Sequence, residues 1–134
     1  AVCMMIRRET VQRIGLFDET FFLYYEETDL CRRARQAGYK IYYVRDAHVS
    51  HIGSVSTGMK RMDKPMPLYW FEARKHYFRK HHGSGYALLT DVAWLTGRGL
   101  RGVRYFLQRR ADERRPHITR DFIKFNFGQA LARK

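Results

Sequence analysis

At 134 residues, with 45% hydrophobic and 15% aromatic content, the chain is one domain in length, or a piece of one, with apolar material enough for a packed core; disorder is not the default. Its two cysteines, Cys3 and Cys31, lack metal-ligand spacing and read as reduced, buried small hydrophobes of a cytosolic protein, and no apolar run is long enough to span a membrane unaided. The net charge of +13 is uneven: residues 1–57 hold 8 Lys/Arg against 7 Asp/Glu and residues 58–134 hold 18 against 6, so a near-neutral working portion precedes a basic tail suited to nucleic acid, anionic lipid or a phosphorylated substrate.

Ala1–Ile6 is an apolar run that reads as a buried strand wanting neighbours on both sides. Position 1 is not Met and no signal peptide follows, so the chain reads as an excised segment or a processed product. Left unpaired, that strand would invite self-association. Arg8–Ile14 fits a short helix, with Val11 and Ile14 on one face and Gly15 as its stop. Leu16–Thr20 is a turn and Phe21–Tyr25 a short extended run. A helix from about Asp29 to Ala37 turns Leu30, Ala34 and Ala37 inward with Cys31 beside them, places Arg32, Arg33 and Arg35 toward the flanks or solvent, and closes at Gly38. Lys40–Val44 is a strand candidate by its β-branched and aromatic content. Strand, helix, turn, helix and strand in that order predict an α/β fold.

His48 and His51 follow that strand and open a small, hydroxyl-rich loop punctuated by Gly53 and Gly58, a mobile type that approaches phosphates closely. Pro65 and Pro67 bracket a turn. Leu68–His82 is helical, aromatic and basic at once. Its rings would either stack on bases or form a hydrophobic seam of Trp70, Phe71, Tyr77 and Phe78 rimmed by Arg74 and Lys75; the seam is favoured, because stacking platforms need aromatics exposed on a sheet. After the break at Gly83–Gly85, Tyr86 to about Arg110 forms an amphipathic helix softened by Gly97, Gly99 and Gly102. Leu88, Leu89, Val92, Leu95, Leu100, Val103, Phe106 and Leu107 share one of its faces, with Arg98, Arg101 and Arg109 opposite. That face would lie in a membrane interface among anionic headgroups or pack on the domain in front, and the pattern leaves both open. Ala111–Lys134, with Phe122, Ile123, Phe125 and Phe127, is a last surface helix or an interface anchor. The chain has no P-loop, no G-x-G-x-x-G, no Cys-x-x-Cys and no His-Glu-x-x-His.

Three acids, Glu26, Glu27 and Asp29, follow the aromatic run and meet the start of a helix. Carboxylates tucked against aromatics lose solvation, which raises their pKa toward the range useful for a general base. Read alone, the pattern equally suits a helix start, with Thr28 or Asp29 as cap and the glutamates favouring its positive end. In that purely structural case both glutamates would lie exposed, with no cleft before them.

The flanking residues shift that balance. The run R-R-E-T-V-Q-R-I-G-L-F-D-E-T-F-F-L-Y-Y-E-E-T-D-L, continued by the G-Y pair and by D-A-H-V-S-H before a Gly/Ser/Thr loop, closely resembles the C-terminal half of the catalytic domain of family-2 inverting glycosyltransferases. Their rhamnosyltransferase-like branch, acting on bacterial surface polysaccharide, is nearest, and the resemblance covers about residues 2–82. It implies a partial GT-A (nucleotide-diphospho-sugar transferase) fold over residues 1–82, the acceptor-side half, lacking the N-terminal nucleotide-binding half. Residues 83–134 would then be a basic extension of amphipathic C-terminal helices. The implied activity is transfer of a sugar from a nucleotide-diphospho-sugar donor to a hydroxyl of a glycan or lipid-linked acceptor, with the fragment inactive alone. The implied location is the inner face of the cytoplasmic membrane, peripheral, with residues 83–134 on its anionic surface.

Residue by residue, the resemblance makes Glu27 the catalytic base, with Glu26 and Asp29 as supporting acids. His51 falls where a family histidine completes the coordination of Mg²⁺ or Mn²⁺, whose main ligands belong to the missing half. Ser54, Ser56, Thr57, Lys60 and Arg61 form the loop that closes on the diphosphate. Arg74, at an arginine of the following aromatic helix, is grouped with these substrate-binding residues. Two positions depart from the family pattern: Glu27 stands where the usual base is Asp, one methylene shorter, and Leu16 replaces a second glycine. The competing reading is a non-catalytic basic module for anionic membrane or nucleic acid. Nucleic acid is disfavoured, because the Arg8–Ile14 helix leads into an aromatic run and not a reading helix.

Overall fold

A computed structural model describes residues 3–51, 64–110 and 117–131. Among them lie four helices: α1 (Arg8–Ile14), α2 (Glu26–Gln36), α3 (Leu68–Leu107) and α4 (Ile118–Leu131). No strand occurs among the described residues, which corrects the α/β expectation: this part of the chain is helical. The reason is visible at Lys40–Val44. A strand is held by a ladder to a neighbour and by burial of at least one face, yet Tyr42 and Tyr43 are 75% and 92% exposed, and Ile41 and Val44 are exposed as well. The run has strand-forming residues and, among the described residues, no strand beside it. Residues 3–6, expected as a buried strand, are likewise non-helical and join no ladder, and Cys3 is exposed where a buried cysteine was expected.

The helix stops expected from glycine are present. Gly15, at φ 77°, ends α1, and its amide donates to Val11 O at 2.8 Å. Gly38, at φ 89°, ends α2 in a Schellman pattern: Tyr39 N–H reaches Ala34 O and Gly38 N–H reaches Arg35 O, both at 3.0 Å. The start of α2 differs from expectation. It begins at Glu26, so neither Thr28 nor Asp29 is its cap; that position belongs to Tyr25, in the left-handed conformation (φ 67°, ψ −11°), with Tyr24 before it at φ 71°. A left-handed residue other than glycine costs roughly 1–2 kcal/mol. Tyr24 is steadied by Tyr69, stacked at 6.1 Å, and Tyr25 by Tyr77 at 5.4 Å.

α3 is broken at Gly83 (φ 81°, ψ 170°), which divides it into two arms. The first arm faces α2; the second turns back so that Asp91 meets Arg74 of the first arm in a buried ion pair. α4 closes this elbow. Its Phe122, fully buried, stacks on Trp94 at 4.1 Å and meets Phe71 edge-on at 6.0 Å, while Phe125 stacks on Phe71 at 5.6 Å. The aromatic seam expected in Leu68–His82 therefore exists around Phe71. Arg74 is inside that seam, not at its rim.

Candidate functional site

The strained Tyr24–Tyr25 pair delivers three carboxylates into the first turn of α2, where the helix dipole favours negative charge. Asp29 is fully buried and both its oxygens are engaged: Arg33 Nε donates to Oδ2 at 2.8 Å, and Lys80 Nζ and His81 Nε2 donate to Oδ1 at 2.6 and 2.7 Å. Arg33 also donates to the carbonyls of Ile14 and Leu16, both at 2.6 Å, tying α2 to the end of α1. Lys80 bridges to a second carboxylate, Asp18, at 2.7 Å, and His76 lies 3.4 Å from the same oxygen. Asp18 itself accepts the Thr20 amide at 2.9 Å, which shapes the turn before Phe21.

These contacts set the charges. Burial pushes the Asp29 carboxyl up, but hydrogen bonds from Lys80, Arg33 and His81 outweigh it and hold the group below its ordinary value. Asp18 is held well below the carboxylate range, first by Lys80 and then by the Thr20 amide. Burial works against the Lys80 ammonium, yet its hydrogen bonds to Asp18 and Asp29 leave it raised. Both aspartates are thus anionic at neutral pH, and Lys80 is cationic between them.

Burial acts on both glutamates. Burial, with the neighbouring charge of Glu27 added, raises the Glu26 carboxyl. Its Oε2, like that of Glu27, is shut away from solvent. Burial also pushes the Glu27 carboxyl upward, and a hydrogen bond from its own amide pulls it down. The expectation that loss of solvation raises a carboxyl here is met at Glu26. Both side chains are partly buried, unlike the exposed caps of a purely structural helix start.

Beside these acids, starting at Thr28, an open cleft of about 970 Å³ runs along α2 between Cys31, Arg32, Arg35 and the Gly38–Tyr42 segment, with Tyr77 at its wall. Arg32 donates to His82 Nε2 at 2.9 Å; His82 is held below its ordinary value by desolvation and by the Arg32 charge, consistent with a neutral, accepting ring.

The remaining expected site residues are not gathered here. His51 ends the first described segment, exposed. Ser54, Ser56, Thr57, Lys60 and Arg61 lie outside the described residues. Arg74 is buried, paired with Asp91, bonded to Thr90 O at 3.0 Å and laid over the Phe78 and Phe122 rings at 5.1 and 5.2 Å, so its charge is used inside the fold. Among the described residues no three His, Cys, Asp or Glu side chains are placed to hold a metal ion, and the Asp29 oxygens already face three cationic or donor groups. These residues do not fit an Mg²⁺ or Mn²⁺ site by themselves. What sequence reading missed is the Asp18, His76, Lys80 and His81 network. Its only trace in the sequence was spacing: His76 with Lys80 and Tyr77 with His81 lie four apart on one helical face.

Over 89 residues, 66% of this chain, the sequence is 33% identical to an N-acetylglucosaminyl-diphospho-decaprenol L-rhamnosyltransferase of Mycobacterium tuberculosis, of which those residues are 25%. It is 38% identical over 48 residues, 36% of this chain and 18% of the relative, to a rhamnosyltransferase of Escherichia coli. The chain is a partial relative of rhamnosyltransferase-type glycosyltransferases. A low-salt glycan biosynthesis hexosyltransferase of Haloferax volcanii is 46% identical over 39 residues, 29% of this chain and 13% of that protein. The glycosyltransferase segment spans about a quarter of the length of the mycobacterial relative. No family model matches the chain, and no solved structure matches it.

Proposed function

We propose that this glycosyltransferase relative contributes the acceptor side of an inverting sugar transfer, with Glu27 as the general base. The observation that carries the reading is the partly buried Glu27 carboxylate in the first turn of α2, with an open cleft that starts at the next residue. An anionic carboxylate within hydrogen-bond reach of an acceptor hydroxyl takes its proton as the oxygen attacks the anomeric carbon. A new carbon–oxygen bond forms on one face of the sugar. The bond to the nucleotide diphosphate breaks on the other, and the diphosphate leaves with the electron pair, so the configuration inverts. Asp29 is a positioning residue: its bonds to Lys80 and His81 lock α2 against α3 and so fix where Glu27 stands.

Within the same proposal, Ser54, Ser56, Thr57, Lys60 and Arg61 meet the diphosphate, and residues 1–82 and 83–134 divide the work into transfer and attachment. The donor is a nucleotide-diphospho-sugar and the acceptor a hydroxyl of a glycan or lipid-linked glycan. The test is Glu27→Gln in the full-length transferase. Sugar transfer falls by at least a hundredfold while binding of the nucleotide-sugar, measured by calorimetry, is kept. Transfer at more than a third of the wild-type rate would remove Glu27 from this role.

A further inference from the structure

The second arm of α3 is amphipathic twice over. One side carries Ala87, Asp91, Trp94 and Arg98 toward the first arm and α4: Asp91 pairs with Arg74, Trp94 stacks on Phe122, and Arg98 Nε donates to Thr119 Oγ1 at 2.9 Å. On the other side Leu89, Val92, Leu100, Val103, Phe106 and Leu107 recur at helical spacing, and all are exposed, Phe106 at 83% and Leu107 at 75%. The stripe runs about 30 Å at 1.5 Å per residue. Of the two readings the sequence left open, packing of this face on the domain in front is not what the described residues do.

We infer that this arm lies in the plane of an anionic lipid bilayer, stripe down, and holds the protein at the surface. The argument for that occupant is charge. From Val92 to Arg110 the sequence has five arginines and no acidic residue, and Arg101, Arg104, Arg109 and Arg110 are exposed. Arginines around an apolar stripe match negatively charged headgroups above acyl chains. A second copy of the chain seated on the same stripe would bring the two sets of arginines together. No helix among the described residues is long and apolar enough to cross a membrane, so the stripe lies on the bilayer and does not span it. The inference rests on the attachment role proposed above for residues 83–134 and uses none of the residues proposed for transfer, so transfer and attachment can fail separately.

The experiment is flotation of the whole chain with vesicles of phosphatidylcholine alone and with 30% phosphatidylglycerol, a composition chosen to about match an anionic surface. The chain floats with the anionic vesicles and not with the neutral ones. Leu100→Asp with Phe106→Asp lowers the bound fraction at least tenfold, Arg101→Glu with Arg104→Glu does so in low salt, and the exposed control Tyr43→Asp binds as wild type. Far-UV circular dichroism shows whether each variant keeps its helices, and all substituted side chains are surface ones, so folding survives. Wild-type protein that stays unbound with both vesicles overturns the inference, as does undiminished flotation of Leu100→Asp with Phe106→Asp. A dimer in sedimentation that these two substitutions dissociate, without flotation, would assign the stripe to a second copy and also overturn it.

Discussion

Asp29→Asn tests the packing that positions the proposed base. The substitution keeps the shape and removes the charge between Arg33, Lys80 and His81. Removing one partner of a buried ion pair costs roughly 3–5 kcal/mol, chiefly through the charge left behind. Lys80 and Arg33 retain 28% and 20% of their side-chain surface exposed, so water recovers part of that loss and about 2–3 kcal/mol is expected. At roughly 3–5 °C per kcal/mol for a chain of this size, Tm falls by about 6–15 °C. The pH dependence carries a sign as well. Asp29 and Asp18 are depressed carboxylates, so their stabilisation is complete above the unfolded value of 3.8 and is lost as pH falls through the lower folded values. Lys80 is raised, so its share holds up to the unfolded value of 10.5 and fades as pH rises through the folded one. Thermal melts followed by circular dichroism from pH 2 to 8 should show a shallower acid limb for Asp29→Asn, and a double-mutant cycle with Lys80→Met should give coupling above about 1 kcal/mol. A Tm within about 2 °C of wild type at pH 7, or coupling near zero, would refute the network's role.

Glu26→Gln should raise Tm at pH 7, because a carboxyl with a raised folded pKa is destabilising when ionised; the gain should disappear as the pH falls below 4.5, its ordinary value, in the same melts. Gly99→Ala meets nothing within 4 Å and should stabilise the helix by about 1 kcal/mol, whereas Gly83→Ala, at φ 81°, should destabilise by a comparable amount in urea titrations. Asp91→Asn should cost about 3–5 kcal/mol by stranding the buried Arg74, and Arg74→Met with Asp91→Leu should recover most of it.

How much of this was legible in the sequence depends on whether the cause is local. Gly15 and Gly38 end α1 and α2 because a left-handed stop is a property of the residue itself. The Leu68–His82 seam followed from aromatic spacing. The start of α2 was misjudged because Tyr24 and Tyr25 adopt left-handed backbone that their own chemistry disfavours and that only Tyr69 and Tyr77 make tolerable. Lys40–Val44 is not a strand for a related reason: β-propensity describes fit to a neighbouring strand, and Tyr43 has none among the described residues. Glu26, Glu27 and Asp29 were picked out by pattern and resemblance, and they do share the first turn of α2. The raised Glu26 carboxyl was not so picked out, since it arises from burial set by the folded backbone. Nor was the fate of Arg74, whose partner Asp91 comes from beyond a glycine break.

The central claim is that Glu27, and not its neighbour, takes the acceptor proton. Single-turnover transfer by full-length Glu27→Gln and Glu26→Gln, side by side at pH 7 with saturating donor, separates the two most directly. The account predicts a loss of roughly 10²–10⁴ for Glu27→Gln and less than tenfold for Glu26→Gln. Equal losses, or the larger loss at Glu26, would contradict it.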